Sequence, residues 1–268
     1  MLLHIIADYG HGDLAFAEVV QRFSGLFPDA RVVCTPVPPF ATLAAGFCIA
    51  QLGLNLAPKG TIIFHNIAPR EDNDVERESN AGERLAFARL NDGVLVVGVN
   101  AGHVYSFVRD AATELGWAKA PDSGSQFRSR DLFPQAVSDL ASGRGKAEAM
   151  NPAAVPDIPP GRLAYIDGYG NLKLTLTRED IEGKTGHKVQ VAIGNVKLDA
   201  VLSDESFGVP TGKLALAPGS SGWPLTDGGR VEWLELFLRG GNASEAFGNP
   251  ALGDEVRVMT HKKARKSG

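Results

Sequence analysis

The 268-residue chain is short of several things. It has only two cysteines, Cys34 and Cys48, both in apolar stretches. Two buried free thiols are expected there rather than a disulfide framework, and such usage suits a reducing cytoplasm. Its six histidines are scattered, and both C-x-x-C and H-E-x-x-H are missing, which argues against a metal enzyme. G-x-S-x-G is missing too, so no common nucleophile motif can be read. Gly183-Lys184-Thr185 lacks the upstream glycine of a phosphate loop, because Arg178 stands in its place. No apolar run reaches the roughly 20 residues of a membrane span. The stretch Met1 to Asp8 has no basic region and turns polar too early for a signal peptide. Positive charge is in deficit: the formal net charge is −4, whereas a nucleic-acid binder needs a basic face to displace counterions. The one basic run, His261 to Lys266, reads as a solvated tail. These absences lead to the expectation of a soluble, cytoplasmic protein with neither nucleic acid nor membrane as a partner.

What remains is ordinary globular composition, with 44% hydrophobic and 22% charged residues. Residues 2–7 are apolar and run into Asp8, Gly10 and Gly12, which predicts a buried strand ending in a turn. Helical spacing follows through Leu14, Phe16, Val19, Val20 and Phe23. Arg31 to Thr35 is a second strand, stopped by Pro36, Pro38 and Pro39, and 40–53 a second helix. Thr61 to Phe64 is a third strand. Leu85 to Leu90 and Val94 to Val99 are two more, joined by the turn Asn91-Asp92-Gly93. Alternating strands and helices predict an α/β N-terminal domain, 1–145, with a largely parallel sheet. The charge-dense stretch 70–83 is expected to be a solvated loop. A Pro-rich linker is expected over 146–159. Beyond it, alternating stretches such as Lys188 to Ile193 and Val196 to Val201 predict a smaller, all-β, barrel-like C-terminal domain over 160–268.

Four polar features sit in unexpected places. Asp8 follows an apolar strand directly, and ligands of open α/β sheets bind beyond the carboxyl ends of strands. It reads equally as a ribose-hydroxyl acceptor or as a turn-former or cap. Asp167-Gly168-Tyr169-Gly170-Asn171 places an acid, an aromatic ring and an amide on one tight turn, which suits either a ligand or a plain hairpin. Phe127-Arg128-Ser129-Arg130-Asp131-Leu132-Phe133 precedes a helix running to Leu140. Ser129 or Asp131 would cap that helix, or the arginines would meet an anion. Ser220-Ser221-Gly222 and Gly240-Gly241-Asn242-Ala243-Ser244 offer small residues beside which a flat heterocycle can approach the backbone, or simple loop punctuation.

In this order and spacing, the four features resemble the SAM hydroxide adenosyltransferase family, which includes the SAM-dependent chlorinase and fluorinase. Ala7-Asp8-Tyr9-Gly10 is similar to its T-D-F-G, Val37-Pro38-Pro39 to its I-P-P, and Gly60-Thr61-Ile62-Ile63 to its G-T strand. Phe127 to Phe133 is similar to F-H-G-R-D-hydrophobic-F, and Tyr165 to Leu172 to Y-I-D-x-F-G-N-L. Ser220-Ser221-Gly222 and Gly241-Asn242-Ala243 match its C-terminal elements. The resemblance implies an α/β domain plus a β-barrel, and a homotrimer with each SAM site at a subunit interface. SAM is the implied substrate and no cofactor is needed. By position, Asp8 would hold the ribose hydroxyls. Asp167 and Asn171 would hold the methionine end, with Ser221 among the substrate contacts. Tyr169 would pack on the ligand, and Asn242 and Ala243 would read adenine. The implied chemistry is attack of a water-derived nucleophile on C5′ of SAM, releasing methionine and leaving adenosine.

The sequence departs from the family beside the nucleophile. Asn66 takes the place of the aspartate of V-D-P-G-V-G, and Arg128 takes that of the histidine of F-H-G-R-D. Neither is a base. Arg84 corresponds to the arginine of that set, and Asn100-Ala101-Gly102 replaces part of P-D-N-G. Ser129 stands where hydrolytic members have glycine and the fluorinase a halide-contacting serine. Asn66, Arg84, Arg128 and Ser129 are therefore the catalytic candidates. A halide or another small anion would need no deprotonation and would give 5′-halo-adenosine. A non-catalytic SAM or adenosine binder on the same scaffold is the alternative.

Overall fold

A computed structural model describes residues 1–67, 82–121, 124–205 and 208–260. The chain divides into two compact units, Met1–Ile158 and a second beginning at Pro159. Residues 70–81 of the expected charged loop and the basic run near the C-terminus lie outside the described residues.

The first unit is built on a seven-stranded sheet. Its strands are β1 (Leu2–Ala7), β2 (Arg31–Pro36), β3 (Ile62–Asn66), β4 (Leu85–Arg89), β5 (Leu95–Val99), β6 (Glu114–Ala118) and β7 (Ala147–Ala149). Across the sheet the order is β2-β1-β3-β5-β4-β6-β7. The helices are α1 (Leu14–Leu26), α2 (Thr42–Gly53), α3 (Arg128–Asp131) and α4 (Phe133–Ala141). Helix α1 begins where Asp13 Oδ1 accepts the Ala15 N–H at 2.7 Å. Its Phe16, Val19 and Phe23 lie on one face and pack on Leu3, Ile5 and Ala7 of β1 with Phe133, Val137 and Leu140 of α4. Helix α2 is apolar on nearly every side and correspondingly buried, against β1 and β3. The step from β1 to β2 runs opposite to the step from β2 across β1 to β3. Right-handed crossovers therefore place α1 and α2 on opposite faces.

The expectation of a largely parallel sheet is corrected to a mixed one. Strands β2, β1, β3 and β5 are parallel, but β4 is antiparallel to β5 and β6, and β7 is antiparallel to β6. The physical reason lies in Asn91-Asp92-Gly93: a connection this short joins only antiparallel neighbours. Asp92 and Gly93 take φ of 63° and 75° there. The Pro-rich segment carries β7, and Val155 is buried, with Arg109 Nη1 donating to its carbonyl at 3.0 Å. Much of that segment is thus fastened to the first unit. Both cysteines are free, but Cys34 is exposed rather than buried, because β2 is an edge strand with both faces open to solvent over most of its length.

The second unit holds β8 (Leu163–Ile166), β9 (Leu172–Leu174), β10 (Lys188–Ile193), β11 (Val196–Leu202), β12 (Leu214–Pro224), β13 (Arg230–Leu238) and β14 (Val256–Thr260). One short helix, α5 (Ala243–Ala246), interrupts the strands. The sheet order is β14-β10-β11-β12-β13-β9-β8, with β11 and β12 parallel and the other pairings antiparallel. The sheet curls into a half-barrel whose edges are stitched together at the start of β8. Leu163 N–H donates to Asp254 O at 2.9 Å and Val256 N–H to Gly161 O at 2.8 Å. Leu172, Leu174, Val189, Val191, Leu214, Leu216, Leu234 and Leu236 fill its core. Among the described residues no helix is long and apolar enough to cross a membrane.

Candidate functional site

Strands β1 and β3 lie side by side and end together, Ala7 opposite Asn66. The chain connections leave these two strands in opposite directions. That makes the carboxyl edge between them the topological switch point, where open α/β sheets leave a crevice. A cavity of about 550 Å³ opens there. Asp8 from the end of β1, Asn66 from the end of β3, and Arg128 and Ser129 from α3 all line it. The sequence-predicted residues of this unit are thus gathered from three separate segments, with one exception. Arg84 is not among the lining residues. Its Nη2 donates to Glu148 Oε2 at 3.1 Å, and its guanidinium lies 4.4 Å from the Trp117 ring centroid.

The cavity wall mixes polar and apolar groups, and no histidine is among its lining residues. Asp8 Oδ2 accepts the Phe40 N–H at 3.3 Å. Ser129 is buried and pairs with Tyr9 through their hydroxyls at 2.6 Å, so it caps no helix. Burial pushes the Tyr9 hydroxyl well above its ordinary pKa, and the nearby Asp8 charge pushes it further; bonds to Ser129 and Asn66 pull it partly back. Tyr9 is consequently a neutral donor. Arg128 stays charged, its guanidinium 4.7 Å from the Phe133 ring centroid. The other charged pair of that motif is turned outward: Arg130 bonds both Asp131 and Glu18. His65, next to Asn66, is fully buried, with neither ring nitrogen hydrogen-bonded among the described residues. Burial pushes its pKa down to about 3, so it is a neutral core imidazole rather than a base.

Among the lining residues that the sequence did not single out are Glu83 and Phe40. Glu83 brings a carboxylate to the cavity from just before β4. Phe40 presents a half-exposed ring and takes φ of 63°, a left-handed conformation that costs a non-glycine residue on the order of 1 kcal/mol or more. A positive φ has no signature in Pro39-Phe40-Ala41, which contains neither glycine nor asparagine.

In the second unit the Asp167 motif forms the turn between β8 and β9. Asp167 Oδ1 accepts the N–H groups of Tyr169 and Asn171 at 2.9 and 3.0 Å, and Oδ2 accepts Asn171 Nδ2 at 3.0 Å. Burial alone would raise the carboxyl's pKa. The Asn171 and Tyr169 hydrogen bonds and the Lys173 charge outweigh it and hold Asp167 below the usual carboxylate range. Gly170 takes φ of 79° and lies so close to Asn242 that a Cβ would collide with its amide. Its carbonyl accepts the Ser244 N–H at 2.9 Å, which ties the turn to the start of α5. Asn242 caps α5 through the Glu245 N–H, and Ala243 is fully buried behind it. Asp167, Asn171, Asn242 and Ala243 therefore share one locality, and Tyr169 stands out from it with 83% of its surface exposed. Ser221 points inward: its N–H and hydroxyl both meet Glu235 Oε1. Its neighbour Ser220 is exposed.

Residues 161–257 match the model of the SAM hydroxide adenosyltransferase C-terminal domain. This stretch of the chain is similar to that family's C-terminal domain. The match takes in the Asp167 turn, the Ser220-Ser221-Gly222 element and Asn242-Ala243, whereas Asn66 and Arg128 lie in the other unit. Two solved structures are similar over nearly the whole chain. An uncharacterized conserved protein from Thermotoga maritima has a TM-score of 0.73 and 18% identity, covering 96% of this chain and 100% of its own. A conserved hypothetical protein from Thermus thermophilus has a TM-score of 0.65 and 21% identity, covering 96% and 99%. At such identities these likenesses speak to the fold. No curated protein matches the sequence. A SAM hydroxide adenosyltransferase C-terminal domain is associated with SAM-using enzymes.

Proposed function

We propose that this protein binds SAM and transfers its adenosyl group, by attack of water or a small anion on the ribose C5′. The C5′–S bond breaks and its electron pair returns to sulfur, giving neutral L-methionine and either adenosine or 5′-halo-adenosine. A sulfonium leaves without protonation, so placement in line and exclusion of bulk water carry the rate. The observation that supports this reading most is the cavity at the switch point, where Asp8, Asn66, Arg128 and Ser129 line one space. We assign Asp8 to the ribose hydroxyls, and Asn66, Ser129 and Arg128 to the nucleophile's side. Asp167 and Asn171 are assigned to the methionine end, with Ser221 among the substrate contacts, Tyr169 to the ligand's face, and Asn242 and Ala243 to adenine. Arg84 would join only after exchanging its Glu148 partner. A homotrimer in the cytoplasm is the assembly and location that go with this reading.

With Asn66 and Arg128 in place of a base, an attacking water needs another proton acceptor. We assign Glu83, which lines the cavity from just before β4; Asp8 is assigned to the ribose and Asp13 caps α1. Incubation with SAM in the presence and absence of chloride or fluoride tests the proposal, with adenosine, halo-adenosine and methionine quantified. Water attack predicts that Glu83→Gln slows adenosine formation by about 100-fold or more, while halide transfer, which releases no proton, is spared. SAM bound tightly with no product of either kind would favour the second reading, a non-catalytic SAM or adenosine binder. That reading draws its support from the same two substitutions.

A further inference from the structure

Strand alternation sends Leu172 and Leu174 of β9 and Leu234 and Leu236 of β13 into the half-barrel core. Lys173 and Glu235, between them, project from the opposite face, where solvent would be expected. They are direct cross-strand partners, and both are buried, at 7% and 1% exposure. What covers them is β12, whose register shifts between Pro218 and Gly222. Gly219 lies so near that a Cβ there would collide with the Glu235 carboxylate. Lys173 Nζ donates to Glu235 Oε2 at 2.9 Å and to Ser220 Oγ at 3.4 Å, and lies 3.6 Å from Asp167 Oδ2. The other oxygen of Glu235 takes the Ser221 N–H and hydroxyl. Removing two charges from water costs several kcal/mol each, and pairing repays it only when the geometry is good. A leucine pair at these positions would fill the space without that cost, so stability alone does not account for the ions.

We infer that Lys173 is a positioning residue for the amino-acid end of the ligand. Its ammonium, from beneath the surface, fixes the Asp167 carboxylate and the Ser220 hydroxyl together, and Glu235 is the counter-charge that holds it there. This rests on the reading that Asp167 receives the methionine end of SAM. An α-amino acid presents an ammonium and a carboxylate a few ångströms apart, and it needs an acceptor for the first and a donor for the second. Asp167 is the acceptor. Because Lys173 donates to Ser220 Oγ, that hydroxyl's hydrogen is directed away from the lysine. The lysine's field is favourable to an incoming carboxylate and balanced by Glu235. Three chain segments, the Asp167 turn, the β12 bulge and β13, are thereby locked in one register by one cation.

The test is calorimetric binding of three ligands to the full-length protein. SAM and S-adenosylhomocysteine carry the amino-acid end, and 5′-methylthioadenosine lacks it. Lys173→Met is expected to weaken the first two by about 10-fold or more, as loss of a charged hydrogen-bond partner does, and to leave the third nearly unchanged. The single variant strands a buried carboxylate, so the double variant Lys173→Met with Glu235→Gln, which buries no net charge, is measured beside it and is expected to show the same selectivity. Equal weakening of all three ligands, or of none, in a folded variant overturns the inference. Wild-type protein that binds none of them, or binds SAM no better than 5′-methylthioadenosine, overturns the underlying reading and takes the inference with it. The two failures are therefore told apart before any variant is made.

Discussion

The candidate residues of the two units are arranged on opposite plans. In the first unit, side chains from several separate segments converge on open space, and the cavity wall holds three carboxylates, two amides, three hydroxyls and a guanidinium around about 550 Å³. In the second unit the candidate residues are bonded to one another. Asp167 serves its own turn, Asn242 caps α5, and Ser221 is turned toward Glu235. On the proposed reading, the difference separates a place for chemistry from a place for recognition. A reacting group gains from room in which to be approached. A group that holds one end of a flexible ligand gains from having no other conformation. Polar residues in the second unit are therefore expected to report on stability as well as on ligand when mutated, and those in the first on ligand and rate with little change in stability.

The largest effect that can break this contrast is expected at Glu235. Replacing it with alanine leaves the Lys173 ammonium buried without its partner and is expected to cost about 3–5 kcal/mol in denaturant unfolding. A loss below about 1 kcal/mol would mean that the second unit is not held together by this pair. Asp8→Asn should do the reverse. We expect adenosine and SAM to bind about 10- to 100-fold more weakly, with the unfolding midpoint moved far less than in the Glu235 variant, because asparagine keeps an oxygen that can accept the Phe40 N–H. A midpoint shift as large as that of the Glu235 variant would erase the distinction.

A third prediction concerns pH. His65 is neutral in the fold, with a pKa of about 3, and titrates at about 6.5 when unfolded. Between these values the unfolded chain binds the extra proton. His65 therefore contributes stability fully above about pH 6.5, and loses it as pH falls toward 3, at no more than about 1.4 kcal/mol per pH unit. His65→Leu should flatten that part of the stability profile, and an unchanged slope would show that other groups dominate it. The smallest effect is expected at Asp13. Its alanine variant should lose the α1 cap and about 1 kcal/mol, leaving ligand affinity unaltered even though the residue lines the cavity.

The order of elements from β1 to β5 was legible because these strands are largely apolar runs and α1 shows a clear 3.6 period, whereas β6 and β7 were not read from the sequence. The mixed sheet could have been reached from the same letters. Asn91-Asp92-Gly93 predicts a hairpin, and a hairpin is incompatible with a fully parallel sheet at that point. Asp8 and Asp167 were legible because a carboxylate after an apolar strand, or inside a Gly-rich turn, breaks the local pattern. Lys173 and Glu235 were not. Leu-Lys-Leu and Leu-Glu-Leu read as ordinary alternation with the charge in water, and the burial of Lys173 depends on a register shift in a strand far along the chain. The same shift decides which of Ser220 and Ser221 faces outward. Glu83 follows a charge-dense stretch and looked like one more solvated acid; only the strand order brings it to the cavity.

That strand order has a further consequence. Because β4 runs against β3, the excursion from Asn66 to Glu83 departs from one rim of the crevice and comes back to it. Lengthening such an excursion costs the fold little, about 0.6 kcal/mol of closure entropy per doubling of its length. Insertions and deletions there are nearly invisible to the sheet. The backward strand lets the length of this stretch change while Asn66 and Glu83, at its two ends, stay at the crevice.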